Sequence, residues 1–263
     1  MITLSYLDLS IAALLVLLLA ALSLRMRTGV SRQLLVAATR TAVQLSLIGL
    51  VLKALFENAG PGWVALMSLV MLLVAGREVM VRQGRRFRGW WGYTVGTFSM
   101  FLSSFAVTIF ALVVILGDTP WYTPQYAIPL LGMLLGNTMS GIAIAMDRLT
   151  QSAWEQRATI EARLMLGEHW DAAIAEYRRQ AVHSGLIPII NAMAAAGIVS
   201  LPGMMTGQIL AGAPPVEAVK YQILIMFLVA AGTGLGTLAA VGIGSRHLFD
   251  ARERLCLDRL RAR

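Results

Sequence analysis

Long apolar runs separated by short arginine clusters dominate the chain. A spanning helix needs about 20 mostly apolar residues. Runs of that kind cover Leu4 to Leu24, Gln33 to Phe56, Trp63 to Met80, Tyr93 to Leu116, Tyr126 to Met146 and Val219 to Ile243. A shorter run, Ser184 to Leu201, is bracketed by Pro188 and Pro202 and reads as a crossing, a re-entrant segment or a broken helix. No run alternates with a period of two. Backbone polar groups in hydrocarbon must be bonded within their own segment, which a helix does. The pattern therefore predicts an all-α, polytopic membrane fold with about seven transmembrane helices.

One polar interval is long, Asp147 to His183. Within it Ile160, Leu164, Leu166, Trp170, Ile174 and Tyr177 recur at near-helical spacing, with charges between them. Gly167 interrupts the pattern, which predicts two helical pieces with a bend. Such a segment serves either as an amphipathic linker lying on the membrane interface or as a docking surface for a cytoplasmic partner. The organisation expected is one transmembrane domain, 1–263, with 147–183 as a helical excursion.

Charge orients the runs. Arg25, Arg27 and Arg32 follow the first run, and Arg77, Arg82, Arg85, Arg86 and Arg88 follow the third. Arg246, Arg252, Arg254, Arg259, Arg261 and Arg263 follow the last. The opposite connections carry Glu57, Asp118 and Glu217, with only Lys53 and Lys220 nearby. The positive-inside rule then predicts an outside N-terminus, a cytoplasmic C-terminus and an odd number of crossings. Trp63, Trp121, Tyr122 and Tyr126 fall near the outer interface, and Trp90 and Trp91 near the inner one.

Composition agrees. Of 263 residues, 57% are hydrophobic and 14% charged, and the mean hydropathy is +0.70. Soluble domains carry roughly 25% charged residues. The net charge of +8 lies between apolar runs, where it sets orientation and does not form a nucleic-acid patch. The first run has no basic lead and no clear cleavage site after it, and is expected to be a retained helix. A single Cys256 makes no internal disulfide. His169, His183 and His247 lie near cytoplasmic segments and HExxH is absent, so a zinc hydrolase is unsupported. GxxxxGK[ST] is also absent. The chain is expected to bind no cofactor tightly, and any ATP it uses is handled by another subunit. An intramembrane enzyme needs a positioned acid and base. Only Glu78 and Asp147 offer carboxylates near inner helix ends.

Several polar residues fall inside the runs. Arg40 and Gln44 share one helix face. Arg40 either extends to the headgroups, lines a pathway, or pairs with Glu78 or Asp147. Gly136-Asn137-Thr138-Met139-Ser140-Gly141 and the Gly232/Gly236 pair suit close helix packing, and Asn137 and Met139 are also pathway candidates. Asn191, Met193, Met204, Met205 and Gln208 surround the Pro202-Gly203 break. Broken helices free carbonyls that bind ions in transporters. Methionine also fills gaps between helices. No dense metal-ligand set stands out.

Ser200-Leu-Pro-Gly-Met-Met-Thr-Gly-Gln-Ile-Leu-Ala-Gly212 and Glu217-Ala-Val-Lys-Tyr-Gln-Ile223 resemble the Fet-type bacterial iron-export permeases and the related plant aluminium-tolerance permeases. So do Leu135 to Gly141, Asp147-Arg-Leu149 and Arg40 to Leu45. The resemblance covers nearly the whole chain. It implies the permease subunit of an ABC transporter in a bacterial inner membrane, acting as a homodimer with a cytoplasmic ATPase subunit and exporting iron or a related metal ion. Export of another substrate, or a non-transporting scaffold for the ATPase, are the alternatives. It further implies that Glu161, Ala162, Arg163, Leu164 and Gly167, with Trp170 beyond them, couple to the ATPase. Arg163 departs from the Glu-Ala-Ala box of the importers.

Overall fold

A computed structural model describes residues 5–57, 60–117 and 120–262. Asp118 and Arg263, used above to orient the chain, lie outside the described residues. The chain divides into two compact units, Met1–Ala59 and Gly60–Arg263.

The first unit is a pair of packed helices, α1 (Tyr6–Arg25) and α2 (Ser31–Glu57). Ser5 and Asp8 close the start of α1 reciprocally: the Ser5 N–H donates to Asp8 Oδ2 at 2.8 Å, and the Asp8 N–H to Ser5 Oγ at 3.3 Å. That arrangement satisfies two of the donors a helix start leaves open. Leucines surround α1 on all sides and stay exposed, as expected of a helix solvated by lipid.

The second unit holds α3 (Pro61–Arg82), β1 (Arg85–Phe87), α4 (Trp91–Met100) and α5 (Ala106–Phe110). Wider π turns at Phe101–Phe105 and Ala111–Leu116 make α4 and α5 parts of one apolar rod, Trp91–Leu116. Then come α6 (Pro124–Glu155), α7 (Arg157–Met165), α8 (Trp170–Ala195), α9 (Gly203–Leu210), α10 (Pro215–His247) and β2 (Leu260–Ala262). Among the described residues, five helices are long and apolar enough to cross a membrane: Leu7–Arg25, Pro61–Arg82, Trp91–Leu116, Pro124–Glu155 and Pro215–His247. The protein is a mostly helical, multi-pass membrane protein. Neither α2 nor α8 belongs to that group of five.

The centre of this unit is α6, which packs against α3, α8 and α10. Small residues allow the approach. A Cβ at Gly185 would lie 2.6 Å from the Gly141 carbonyl oxygen, and one at Gly236 would lie 2.5 Å from Thr138 Cγ2. The Gly232/Gly236 pair of α10 thus seats on α6. Gly136 meets nothing.

Three element boundaries differ from the sequence pattern. The apolar-to-polar change at Asp147 is not a helix end, because α6 continues to Glu155. At 1.5 Å per residue its 32 residues span about 48 Å, against about 30 Å of hydrocarbon. Likewise, α8 runs unbroken across the His183–Ser184 change, through Pro188, to Ala195. Polarity follows the solvent while the helix continues through it. The basic tail has only one 3-10 turn, Leu257–Arg259, and no α-helix. It forms a hairpin whose β2 pairs antiparallel with β1, Phe87 opposite Leu260. This ribbon is the one departure from an all-α fold among the described residues.

Candidate functional site

Two regions contain the predicted site residues. The first is the end of the second unit where α7, α8 and the tail meet. Gly167, at φ +88°, turns the chain between α7 and α8, which is the bend expected there. Ile160 and Ile174 are fully buried in the core, and Leu164, Trp170 and Tyr177 pack against it. The apolar stripe therefore faces protein. Met165 and Leu166 do not: they are 82% and 84% exposed at the tip of the turn.

Arg163 ties the turn together. Its guanidinium contacts Glu168 at 2.7 Å and donates to the Ala173 carbonyl at 3.3 Å, linking α7 to the first turn of α8. The Glu168 carboxylate in turn holds the arginine's charge more firmly. The position that departs from the importer box is thus the one that fixes this bend. Glu161 and Ala162 precede it on exposed surface.

The tail supplies the rest. His169 caps α8, its Nδ1 accepting the Asp171 N–H at 3.4 Å. An accepting Nδ1 is unprotonated, so Nε2 carries the hydrogen and donates to Glu253 Oε1 at 2.8 Å. The other oxygen of Glu253 accepts the Trp170 N–H at 3.1 Å. Glu253 has φ +60°, a strained value for a residue with a Cβ, and it is held there by the Asp250 turn. The Asp250 carboxylate accepts the Arg252 and Arg254 N–H groups, each at 2.8 Å, and contacts the Arg254 guanidinium at 2.7 Å. These backbone bonds from Arg254 and Arg252, with the Arg254 side chain, hold its carboxyl below the usual range. Trp170 packs on Phe249, with the Arg246 guanidinium 5.1 Å over its ring. A cavity of about 790 Å³ opens between the turn and the hairpin, lined by Glu161, Met165, His169, Arg252 and Leu255 among others.

Further ties fix the same end. Asp147 Oδ1 accepts the Gly84 N–H at 2.7 Å, and Arg85 donates to Gln151 at 3.2 Å and lies 4.0 Å over the Trp154 ring. Glu78 lies 4.0 Å from Arg82 one turn along α3. Arg259 donates to the His247 carbonyl at 2.7 Å, capping α10. The tail's part in this assembly was not foreseen. Its one signal was the apolar set Leu255, Leu257 and Leu260 among the arginines.

The second region comprises polar and thioether residues on α6, α8, α9 and α2. Asn137 and Asn191 are exposed on the packed helices α6 and α8. Asn137 donates to its own helix at the Met133 carbonyl, 2.8 Å away, and Ser140 to that of Gly136, 3.1 Å away. Met193 is exposed near the end of α8, and Met139 packs against the core. The chain then turns at Gly197, φ +83°, and Pro202 precedes α9. Of the α9 residues, Met204 is exposed, Met205 buried, and Gln208 has a buried Oε1 without a hydrogen-bond partner. α9 packs along α10, so its methionines and the two asparagines sit on different helix pairs. Arg40 and Gln44 are exposed one turn apart on α2, in the other unit. Among the described residues no three of His, Cys, Asp and Glu come together as metal ligands.

Sequence comparison gives a consistent picture. The family model described as "Uncharacterised protein family (UPF0014)" matches residues 6–249. The chain is 40% identical over 227 residues to the UPF0014 membrane protein slr1647 of Synechocystis sp., covering 85% of each chain. It is 36% identical over 224 residues to the protein ALUMINUM SENSITIVE 3 of Arabidopsis thaliana, 84% of this chain and 80% of that one. It is 29% identical over 259 residues to the probable iron export permease protein FetB of Escherichia coli, 97% and 96% of the two chains. No solved structure matches.

Proposed function

The chain belongs to the UPF0014 family of membrane proteins, and from that premise we propose that it is the permease subunit of an ATP-driven exporter of iron or a related metal ion. A separate cytoplasmic ATPase docks on the α7–α8 turn, and two copies of the chain form the pathway. In this reading α2 and the apolar half of α8 cross the membrane as well, giving seven crossings, an outside N-terminus and an inside tail. The observation that carries it is the pair Met165 and Leu166, exposed at the tip of a turn held by charged side chains. Such an apolar tip on a firmly held base suits insertion into a groove on a partner.

The pathway candidates are the exposed amides and thioethers Asn137, Asn191, Met193 and Met204, together with Met139, Met205 and Gln208; Arg40 and Gln44 of α2 are candidates within the other unit. Weak, scattered ligands suit an ion that must leave again. The ion is the substrate, and ATP stays with the partner.

The test is reconstitution with the ATPase subunit in proteoliposomes. ATP-dependent iron(II) movement is expected, and Met165→Glu with Leu166→Glu abolishes both ATPase capture and flux. Iron-stimulated hydrolysis without movement would favour a scaffold. Flux of a different substrate would overturn the choice of ion.

A further inference from the structure

A groove between α8 and α10 has a charged end and an apolar body. Its volume is about 520 Å³. Leu186 of α8 and Leu238 and Val241 of α10 form the walls, and Arg178, Arg179 and His183 the end. Gly242 lies at its base. A Cβ built there meets nothing within 4 Å, so a side chain at this position would enter open space. A second concavity of about 680 Å³, lined by Arg148, Gln180 and Ser184, shares Arg179 and His183 with the first.

The charges are unbalanced. No carboxylate lines either concavity. Arg178 is bound to Asp171, and Arg148 donates to Gln180 at 3.4 Å. Arg179 is exposed and makes no ion pair or hydrogen bond among the described residues. Gly242 stands five residues before the end of α10, about 8 Å along the axis.

We propose that this groove binds an anionic phospholipid. The headgroup phosphate sits between Arg179 and His183, and an acyl chain runs over Gly242 between Leu186 and Leu238. The placement rests on the topology proposed above, which puts this end of α8 at the cytoplasmic leaflet, where basic pockets between helices bind acidic headgroups. Soluble phosphate satisfies the arginine and leaves the apolar body wet.

The experiment measures binding of fluorescent phosphatidylglycerol to the purified full chain in neutral detergent, with phosphatidylcholine and inorganic phosphate as competitors. Wild type prefers the anionic lipid. Arg179→Gln lowers that preference about fivefold, the value expected for one arginine near a headgroup. Gly242→Leu fills the open floor and weakens both lipids about tenfold, with an unchanged elution profile and melting temperature. Leu238→Trp serves as a second filler if Gly242→Leu does not fold. Arg157→Gln, an exposed arginine at the start of α7, changes nothing.

Three results overturn the proposal: wild-type binding in both Arg179→Gln and the folded filler variant, displacement by inorganic phosphate as readily as by lipid, or efficient cross-linking of two copies through Leu238→Cys in a Cys256→Ser background. In detergent both faces are accessible, so these readouts do not depend on orientation. Orientation is read separately, from labelling of Arg252→Cys in Cys256→Ser cells by an impermeant maleimide. Labelling from outside sinks the topology and leaves the lipid result standing.

Discussion

The two ends of the Gly60–Arg263 unit are held by different kinds of bond. At the tail end, charged side chains cross between elements far apart in sequence: Asp147 to Gly84, Arg85 to Gln151, Glu253 to His169 and Trp170, Arg259 to the end of α10. At the α9 end, local backbone bonds shape the turn, such as Gly197 N–H to the Ser200 carbonyl at 2.9 Å. Ile198 and Val199 are 88% and 83% exposed there. Cross-linked elements move together, whereas a turn held by its own backbone re-forms cheaply. A push on the α7–α8 turn would be passed on by the first end and taken up as a shape change by the second.

Such a contrast requires a rigid connection between the ends, and the α6–α8 crossing provides it. Gly185→Leu places a side chain where a Cβ alone lies 2.6 Å from the Gly141 oxygen and 2.8 Å from Ala145 Cβ. This backbone contact cannot yield as a flexible side chain would. The expected cost is about 3 kcal/mol, read as a lower melting temperature and loss of monodisperse protein. A normally melting Gly185→Leu protein would show that the helices do not approach as described, and the connection would fail.

The next largest effect is at Glu253. Glu253→Ala removes the acceptor of the Trp170 N–H and the partner of His169 together. A loss of about 1 kcal/mol is expected locally, seen as about fivefold faster amide exchange across 163–173. Exchange in 203–210 should not change. Glu253→Gln keeps an oxygen for the Trp170 N–H and falls between. Equal acceleration at both ends would erase the distinction between them.

Much of this architecture was legible beforehand, and the exceptions share a cause. The apolar runs located the five long apolar helices because lipid demands composition as well as period. The stripe from Ile160 to Tyr177 located α7, the Gly167 bend and the start of α8. Composition misled where a helix passes from one solvent to another, at Asp147 and at Ser184, since helical hydrogen bonding continues through the change. The tail misled because six arginines obscured Leu255, Leu257 and Leu260: Leu260 is buried opposite Phe87, 173 residues away, and Leu255 pairs with Phe249 within the tail. Only contacts across the fold show that Glu253, with its left-handed backbone, serves the turn at Gly167. Arg163 was noted as a departure from the importer box. Its role as the tie across the bend became visible with Glu168 and Ala173 in place.

The smallest predicted effect is also the most selective between the ends. The Asp250 carboxyl is held below its usual range by the Arg254 and Arg252 N–H groups and the Arg254 guanidinium. A depressed folded pKa means that the ionised form favours the folded hairpin. Its contribution is complete above the unfolded value, about pH 4, and is lost as the pH falls through the lower folded value. Asp171, depressed by its bond to Arg178, behaves in the same sense. The α9 end has no such dependence, because residues 196–216 contain no ionisable side chain. Exchange at matched intrinsic rate between pH 3 and 6, roughly spanning the carboxylate range, should show the 250–256 hairpin loosening below about pH 4 while 203–210 stays level. Asp250→Asn should remove most of the pH dependence and leave the hairpin modestly looser throughout. Acid loosening of α9 to the same degree would mean that the two ends open as one unit, and the division of labour inferred from their bonds would not hold.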